Sequence, residues 1–203
     1  MKFFQLKEMD RKIILASKSK VRKEILDRHN IVSIVKPSNV DEDIVKTSLL
    51  TEKANPEMIS KNLAELKANK ISMKNPDQLV LGADSVIDLE GELISKPENR
   101  DVALEILKKL NGKVHYLISS VCISKNGMMI WNYTDKAKLT MKSFSESQLE
   151  GYLSKISDEA LYAYNVYQVE AEGRSLFSKI EGDENTIMGL PINKIKDYLK
   201  NYE

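Results

Sequence analysis

The chain has 203 residues, of which 42% are hydrophobic, and its 31 Lys and Arg residues nearly balance its 30 Asp and Glu residues. That length allows one large domain, or two small lobes, with a substantial core. The near-zero net charge argues against binding nucleic acid through bulk electrostatics. One cysteine excludes an intramolecular disulfide, and two histidines are too few for a histidine-rich metal centre. Any metal is therefore expected to be a hard cation held by carboxylates and phosphate oxygens.

The N-terminal stretch MKFFQLKEMDRK lacks the long apolar core of a signal peptide, and no apolar run is long enough to span a bilayer. We therefore expect a soluble, cytoplasmic protein with no membrane partner. The single cysteine, Cys122, lies in the apolar run VCI and is expected to be a buried structural thiol.

Near the start, an apolar strand is followed by a loop of small polar residues and a helix. The sequence predicts the strand at residues 13–15, the loop at residues 16–20 and the helix from Val21. Backbone N–H groups and the hydroxyls of Ser17 and Ser19 would then meet at the helix N-terminus, where anions bind readily. Four basic residues at that end oppose the helix dipole, so they indicate either an anionic ligand or a solvated basic face: Lys18, Lys20, Arg22 and Lys23.

The next elements are a second strand and a long helix. Residues 31–35 predict the strand, and the acidic loop at residues 39–43 could bind a cation or simply be solvated. Residues 47–55 resemble a mobile linker, and residues 56–71 predict a helix with Lys67 near the boundary of its inner face.

The most ordered pattern lies in residues 79–112. A short buried strand stops at Gly82, resumes after Asp84, turns back as a hairpin, and leads through Lys96 to a helix capped by Asn99. The spacing places the carboxylate of Asp84 one hairpin away from Lys96. In such an arrangement the carboxylate could bind a metal or act as a base, and the lysine opposite could bind a phosphate. The alternative is a turn aspartate and a solvated surface lysine.

The remaining residues predict a hairpin, a capped helix, short strands and a final helix. In chain order these are strands at 115–124 and 128–142, a capping box opening a helix at 145–155, strands at 162–170, 176–181 and 186–188, and a helix after Pro191. Asp183 is an acidic candidate or an ordinary turn residue, and His115 is interpreted as structural. Without an internal repeat or a convincing linker between domains, the chain is expected to form one α/β domain over residues 1–203.

Seven ordered motifs resemble those of the Maf family of nucleotide pyrophosphatases, from about residue 13 to residue 192. They are ILASKSKVRKEIL, VDE, LAELKA, GADSV, SKP, LKKLNGKVH and IEGDENTIMGLPI. The resemblance implies a Maf/ITPase-like α/β fold, with an elongated mixed sheet in two lobes, flanking helices and a central nucleotide-binding cleft. It also implies cleavage of the α–β phosphoanhydride of a nucleoside triphosphate, releasing a nucleoside monophosphate and pyrophosphate, with a divalent metal, Mg²⁺ or Mn²⁺.

The resemblance assigns roles to individual residues. Ser17, Ser19 and Arg22 would bind the substrate phosphates, with Arg22 as a fork-shaped donor. Lys67 and Lys96 would neutralise charge on the leaving pyrophosphate.

Two carboxylates complete the implied site. Glu42 would help to hold the metal. Asp84 would act as a general base or metal ligand that activates the attacking water.

Within the family, Val21, Ser85 and Glu170 are the candidate specificity positions. The chain lacks the Lys-Ala-Gly pattern of the thymidine- and uridine-triphosphate branch, and it has Glu170 where that branch has Gln. A carboxylate can accept from the N1–H and exocyclic amine of guanine, so these positions look more like the 7-methyl-GTP branch. The alternatives are a dTTP/UTP pyrophosphatase of the same family or an exposed strand-end role for Glu170.

Two further functions compete with the enzyme. A nucleotide-binding regulator of septum formation and cell division would not need Asp84 and Glu42 beside phosphate-binding residues. A nucleic-acid-binding protein would use residues 18–23, but the balanced charge and the lack of an aromatic stacking stripe count against it. The family resemblance also suggests a homodimer.

Overall fold

The structure, a computed structural model, describes residues 12–169 and 171–202. Seven strands in this part of the chain form one mixed sheet: β1 (Ile13–Leu15), β2 (Ser33–Val35), β3 (Val80–Leu89), β4 (Glu92–Ile94), β5 (Val114–Lys125), β6 (Met128–Met141) and β7 (Phe177–Glu181). The flanking helices are α1 (Lys20–Arg28), α2 (Glu42–Thr51), α3 (Pro56–Ser72), α4 (Arg100–Leu110), α5 (Glu146–Leu153), α6 (Asp158–Tyr164), α7 (Glu184–Ile187) and α8 (Ile192–Asn201), with a 3₁₀ turn at Glu172–Leu176. The predicted α/β class is confirmed.

The sheet is organised around β3. Its strand order is β2-β1-β3-β5-β6-β7, and β4 pairs with β3 as the return strand of a hairpin. The first two strands run parallel to their neighbours, and the remaining pairs are antiparallel. β3 is buried along nearly all of its length, as expected for an apolar run with strands on both edges and a helix against it.

The expected break at Gly82 is wrong, because β3 runs through this position without interruption. A Cβ atom at Gly82 would lie 2.1 Å from the carbonyl oxygen of Ala64 and 2.7 Å from the backbone nitrogen of Ala68. The glycine therefore serves helix packing: only the missing side chain lets α3 approach the strand this closely.

Three other predicted segments are also wrong in type. Residues 47–55 are mostly helix, because the Asp41 side chain caps α2 by accepting a hydrogen bond from the Ile44 N–H. The strand predicted at residues 162–170 begins as helix α6, which Ser157 caps, and residues 186–188 lie at the end of α7, which Asp183 caps. In each case a short N-cap side chain favoured a helix, where the sequence pattern had predicted a linker at residues 47–55 and strands at the other two segments.

Other local predictions are confirmed. Asn99 caps α4, and Ser145 forms a complete capping box with Gln148 at the start of α5. Asn126 and Gly127 both have positive φ angles, as a two-residue hairpin turn between β5 and β6 requires. None of the helices within the described ranges is long and apolar enough to cross a membrane.

Two large apolar clusters define two lobes. One packs α4, α5 and the Phe177 region against one end of the sheet, and the other packs α1 and α8 against the other end. Cys122 is buried behind α3, as expected, and burial raises the pKa of its thiol to about 11. The cleft described below takes its lining from both lobes.

Candidate active site

A cleft of about 620 Å³ lies between the lobes. Its volume is in the range of small-molecule sites, which is about 300–1,000 Å³. Nearly all the residues assigned by resemblance line it: Ser17, Ser19, Val21, Arg22, Glu42, Lys67, Asp84, Ser85 and Lys96. Glu170 lies outside the described residues, although its neighbour Val169 lines the cleft.

The centre of the site is a buried lysine between two carboxylates. The Lys67 ammonium lies 2.8 Å from Asp84 Oδ1 and 2.7 Å from Glu42 Oε1. Lys67 is 6% exposed and Asp84 5%. Lys67 was predicted near the boundary of the inner face of its helix; it lies within that face, because β3 supplies a carboxylate under α3.

The two carboxylates differ in their environment. Burial raises the pKa of Asp84, which the charge of Lys67 only partly offsets. Burial acts in the same direction on Glu42, but the neighbouring lysines, above all Lys67, outweigh it and hold the pKa of Glu42 below its usual value. Two titratable groups whose pKa values are pushed apart suit an acid–base site, with Asp84 as the more basic carboxylate.

The carboxylates fit a shared rather than a self-contained metal site. Asp84 Oδ2 is buried and has no hydrogen-bond partner within the described part of the protein. Among the described residues no group of three or more His, Cys, Asp or Glu side chains could hold a metal ion. Mg²⁺ commonly binds through one or two carboxylates plus substrate phosphates, so Asp84 and Glu42 are a sufficient protein donor set for it.

Lys96 follows β4 and faces the same charges. Burial lowers the pKa of its ammonium, as do the nearby charges of Arg22 and Lys46, while Glu42 opposes the change. A partly desolvated ammonium of this kind interacts strongly with an anion in the cleft.

Arg22 bonds to three separate segments of the protein. Its guanidinium donates to the carbonyl oxygens of Gly189 (2.9 Å) and Ala83 (2.9 Å) and to the hydroxyls of Ser17 (3.1 Å) and Ser85 (3.1 Å). These contacts use four of its five N–H groups. Arg22 thus joins the first loop, β3 and the segment before α8, and its phosphate contact stays a prediction.

The serine loop has the predicted position at the N-terminus of α1. Ser19 caps the helix by accepting from the Arg22 N–H at 3.3 Å, and Ser17 Oγ accepts from the Ser19 N–H at 3.3 Å. Ser85, a predicted specificity residue, lies 2.9 Å from the Ser119 hydroxyl, which donates to the Thr186 carbonyl. Its hydroxyl is therefore part of a network that supports the cleft floor.

Several lining residues were missed from the sequence. Lys46, just before the predicted linker at residues 47–55, was given no role; the Asp41 cap that starts α2 was the signal that could have placed it on a helix. Tyr167 and Gln168 also line the cleft, on the lobe opposite the serine loop. Asp183 does not line it; its carboxylate caps α7 by accepting from the N–H groups of residues 185 and 186.

Together, a hydroxyl-rich loop at a helix N-terminus, a buried lysine with further cations around it, and paired carboxylates define an α/β enzyme site for phosphorylated substrates. The chain belongs to the Maf family, whose model, described as Maf-like protein, matches residues 12–202.

Its relatives agree with this assignment. A nucleoside triphosphate pyrophosphatase of Pelagibacter ubique is 71% identical over 192 residues, covering 95% of this chain and 98% of that protein. The corresponding protein of Ruegeria pomeroyi is 39% identical, covering 92% and 94%. A 7-methyl-GTP pyrophosphatase of Brucella abortus is 36% identical over 181 residues, covering 89% and 91%. A solved HAM1 protein from Coxiella burnetii shares the fold at 11% identity, with a TM-score of 0.50 and coverage of 94% and 99%.

Proposed function

We propose that this Maf-family nucleoside triphosphate pyrophosphatase, a hydrolase acting on acid anhydrides, cleaves the α–β phosphoanhydride of 7-methyl-GTP. The relatives named above support the general activity. The observation that carries the proposed chemistry is the buried Lys67 bridge between Asp84 and Glu42 in a cleft of nucleotide size.

In the proposed reaction, water attacks the α-phosphorus and the bond to the bridging oxygen breaks. Asp84 accepts the proton of the attacking water, and pyrophosphate leaves with the bridging oxygen. The raised pKa of Asp84 makes it a stronger base than an exposed carboxylate. A divalent cation held by Asp84, Glu42 and the phosphates would supply charge neutralisation at the triphosphate.

The cations of the cleft hold the leaving group. Lys96, which lines the cleft, would bind the pyrophosphate oxygens, and Lys67, which donates to Asp84, would keep this carboxylate oriented while contributing positive charge. The hydroxyls of Ser17 and Ser19, at the N-terminus of α1, would bind the remaining phosphate oxygens.

The preference for 7-methyl-GTP is supported by Val21, Ser85 and Glu170 in the sequence and by the similarity to the Brucella enzyme. Val21 and Ser85 both line the cleft. A carboxylate at position 170 would suit a methylated guanine, which carries positive charge and two donors on one edge.

Pyrophosphate release from 7-methyl-GTP, dTTP, UTP and CTP, each with Mg²⁺ and with Mn²⁺, tests both levels of the proposal. We expect the wild-type protein to have its highest kcat/KM for 7-methyl-GTP. In Glu170→Gln this preference should shift toward dTTP or UTP. Preference of the wild-type protein for dTTP or UTP would overturn the specificity and keep the activity. Tight triphosphate binding without release would instead favour a nucleotide-binding regulator.

A further inference from the structure

His115 is a buried titratable residue that the proposed chemistry does not use. It is 0% exposed on β5, and its Nε2 atom lies 2.8 Å from the Tyr167 hydroxyl oxygen. Its other ring nitrogen, Nδ1, has no hydrogen-bond partner within the described ranges. Burial lowers the pKa of His115 to about 4, so the ring is neutral at physiological pH.

Packing alone does not explain a buried histidine at position 115. A buried imidazole with one unsatisfied nitrogen is less favourable than an apolar side chain of similar size. The ring lies among Tyr167 and Phe177, with centroids 5.7 and 5.8 Å away, so an apolar residue would suit its surroundings. A locally unfavourable choice of this kind points to a role in the site that it supports.

The residue that His115 holds belongs to the wall of the cleft. We call residues 165–169 the wall segment; Asn165, Tyr167, Gln168 and Val169 all line the cleft. The proposed function assigns phosphates to the serine loop on the other lobe, so the wall segment would face the part of the cleft left for the nucleoside.

The wall segment has a conformation that must be imposed by its surroundings. Asn165 has φ +70° and ψ −161°, a region that is populated almost entirely by glycine. A Cβ atom on Gly173 would lie 2.5 Å from the Gln168 carbonyl oxygen, so the chain folds tightly back on this segment.

Two buried side chains, Tyr152 and His115, hold the wall segment on the side away from the cleft. The Tyr152 hydroxyl donates to the Val166 carbonyl oxygen at 3.1 Å, and the Tyr167 hydroxyl is paired with His115. Tyr167 also packs edge-on against Phe177, with centroids 4.9 Å apart. These contacts attach the wall segment to β5 and to the core. The side chains that make them, Tyr152, Tyr167 and His115, are all buried.

We propose that the His115–Tyr167 pair is a positioning element for nucleobase recognition, which fixes the wall segment so that Gln168 and Val169 meet the base. This inference rests on the proposed function, because it assigns the base to that wall. His115 and Tyr167 then affect substrate binding and discrimination, while Asp84 and Lys67 perform the chemistry.

The test uses Tyr167→Phe, His115→Leu and the double variant, with kcat and KM for 7-methyl-GTP and dTTP and a thermal melt for each protein. Each single variant leaves one polar partner buried alone, so its Tm should fall by several degrees. KM for the preferred nucleotide should rise about tenfold, the effect of about one lost hydrogen bond, with kcat within about twofold and reduced discrimination.

The double variant separates positioning from packing. With both polar groups replaced, its Tm should recover towards that of the wild-type protein, while KM and discrimination should stay impaired. If KM and discrimination in the double variant returned to wild-type values along with the Tm, the inference would be overturned. Single variants with an unchanged KM would also overturn it. Tyr198→Phe is the matched control, since this phenol stacks on Trp131 in the other lobe; its KM should not change.

The two proposals fail in different ways. Absence of pyrophosphate release by the wild-type protein from every nucleotide would refute the proposed activity. Equilibrium binding of 7-methyl-GTP and dTTP to the same variants would then report on the wall segment: a tenfold weaker Kd in the double variant would support the inference, and an unchanged Kd would overturn it.

Discussion

At the scale of single residues, the charge balance of the site depends on Lys67. Its ammonium is the shared partner of Asp84 and Glu42, and it is buried with Asp84. Removing it would leave the buried Asp84 carboxylate without its cation and next to the carboxylate of Glu42. The sequence placed Lys67 only near the boundary of the inner helix face. In the structure its ammonium bridges Asp84 and Glu42.

We expect Lys67→Met to lower the free energy of unfolding by about 3–5 kcal/mol, the cost of breaking a buried pair. The loss should be largest at alkaline pH, because Asp84 can bind a proton at lower pH. Chemical denaturation at two pH values measures it. Lys61→Met is the matched control on the same helix: this lysine pairs with Glu57 at 2.7 Å but is about half exposed, so the change should stay within about 0.5 kcal/mol. Equal losses in both variants would contradict the bridge.

Asp84→Asn should lower kcat by about 10²- to 10⁴-fold, the usual contribution of a general base, while the fold is retained. The raised pKa means that folded Asp84 binds its proton more tightly than unfolded Asp84. The stability this gives is fully present below the ordinary carboxyl range and is lost as the pH rises through the raised pKa.

Because asparagine resembles the protonated form at every pH, Asp84→Asn should melt at or above the wild-type temperature near pH 8. The difference should shrink as the pH falls towards the ordinary range of carboxyl pKa values. Thermal melts across this range, together with steady-state kinetics, check both parts; retained turnover would rule out Asp84 as the base.

At the scale of elements, the contact between α3 and β3 positions the site. Lys67 comes from the helix and Asp84 from the strand, so the distance between these elements sets the length of their ion pair. Gly82 permits that distance, since any side chain there would meet the backbone of Ala64 and Ala68. Backbone atoms inside a helix cannot move aside as a flexible side chain can.

Gly82→Ala should therefore destabilise the protein by about 1–3 kcal/mol or more, the range for an overpacked core, and should also lower activity by displacing Lys67. Gly151→Ala is the contrasting control. Gly151 is exposed within α5 with open space around its Cβ position, so alanine there should stabilise by about 0.5–1 kcal/mol and leave activity unchanged. Denaturant unfolding and pyrophosphate release measure both variants; a stable, active Gly82→Ala protein would contradict this account.

At the scale of the whole molecule, two apolar clusters meet across the cleft, and a ligand bound there contacts both lobes. Arg22 joins α1 to β3 and to the segment before α8, through the carbonyl oxygens of Ala83 and Gly189. Binding to the folded state alone adds stability by mass action, about 2.7 kcal/mol at 100 times Kd.

A non-hydrolysable triphosphate analogue should therefore raise the Tm by several degrees and slow labelling of Cys122 by a thiol reagent. Cys122 is 1% exposed and its pKa is raised to about 11, so it reacts only when the protein opens. The matching nucleoside without phosphates is the control and should have a much smaller effect. Equal protection by both ligands would show that the phosphate-binding cations do not contribute to binding.

The sequence by itself determined the α/β class, most helices and strands, and many of the residues that line the cleft, because capping side chains, apolar periodicity and ordered motifs are local signals. It gave a linker for part of α2 and strands for α6 and α7, where a single capping residue decided for a helix, and it predicted a break at Gly82. Tertiary structure decided the burial of Lys67, the bonds of Arg22 and the pairing of His115 with Tyr167, since each joins residues far apart in the chain. These contacts depend on the distance between packed helices and strands. No local sequence pattern specifies that distance.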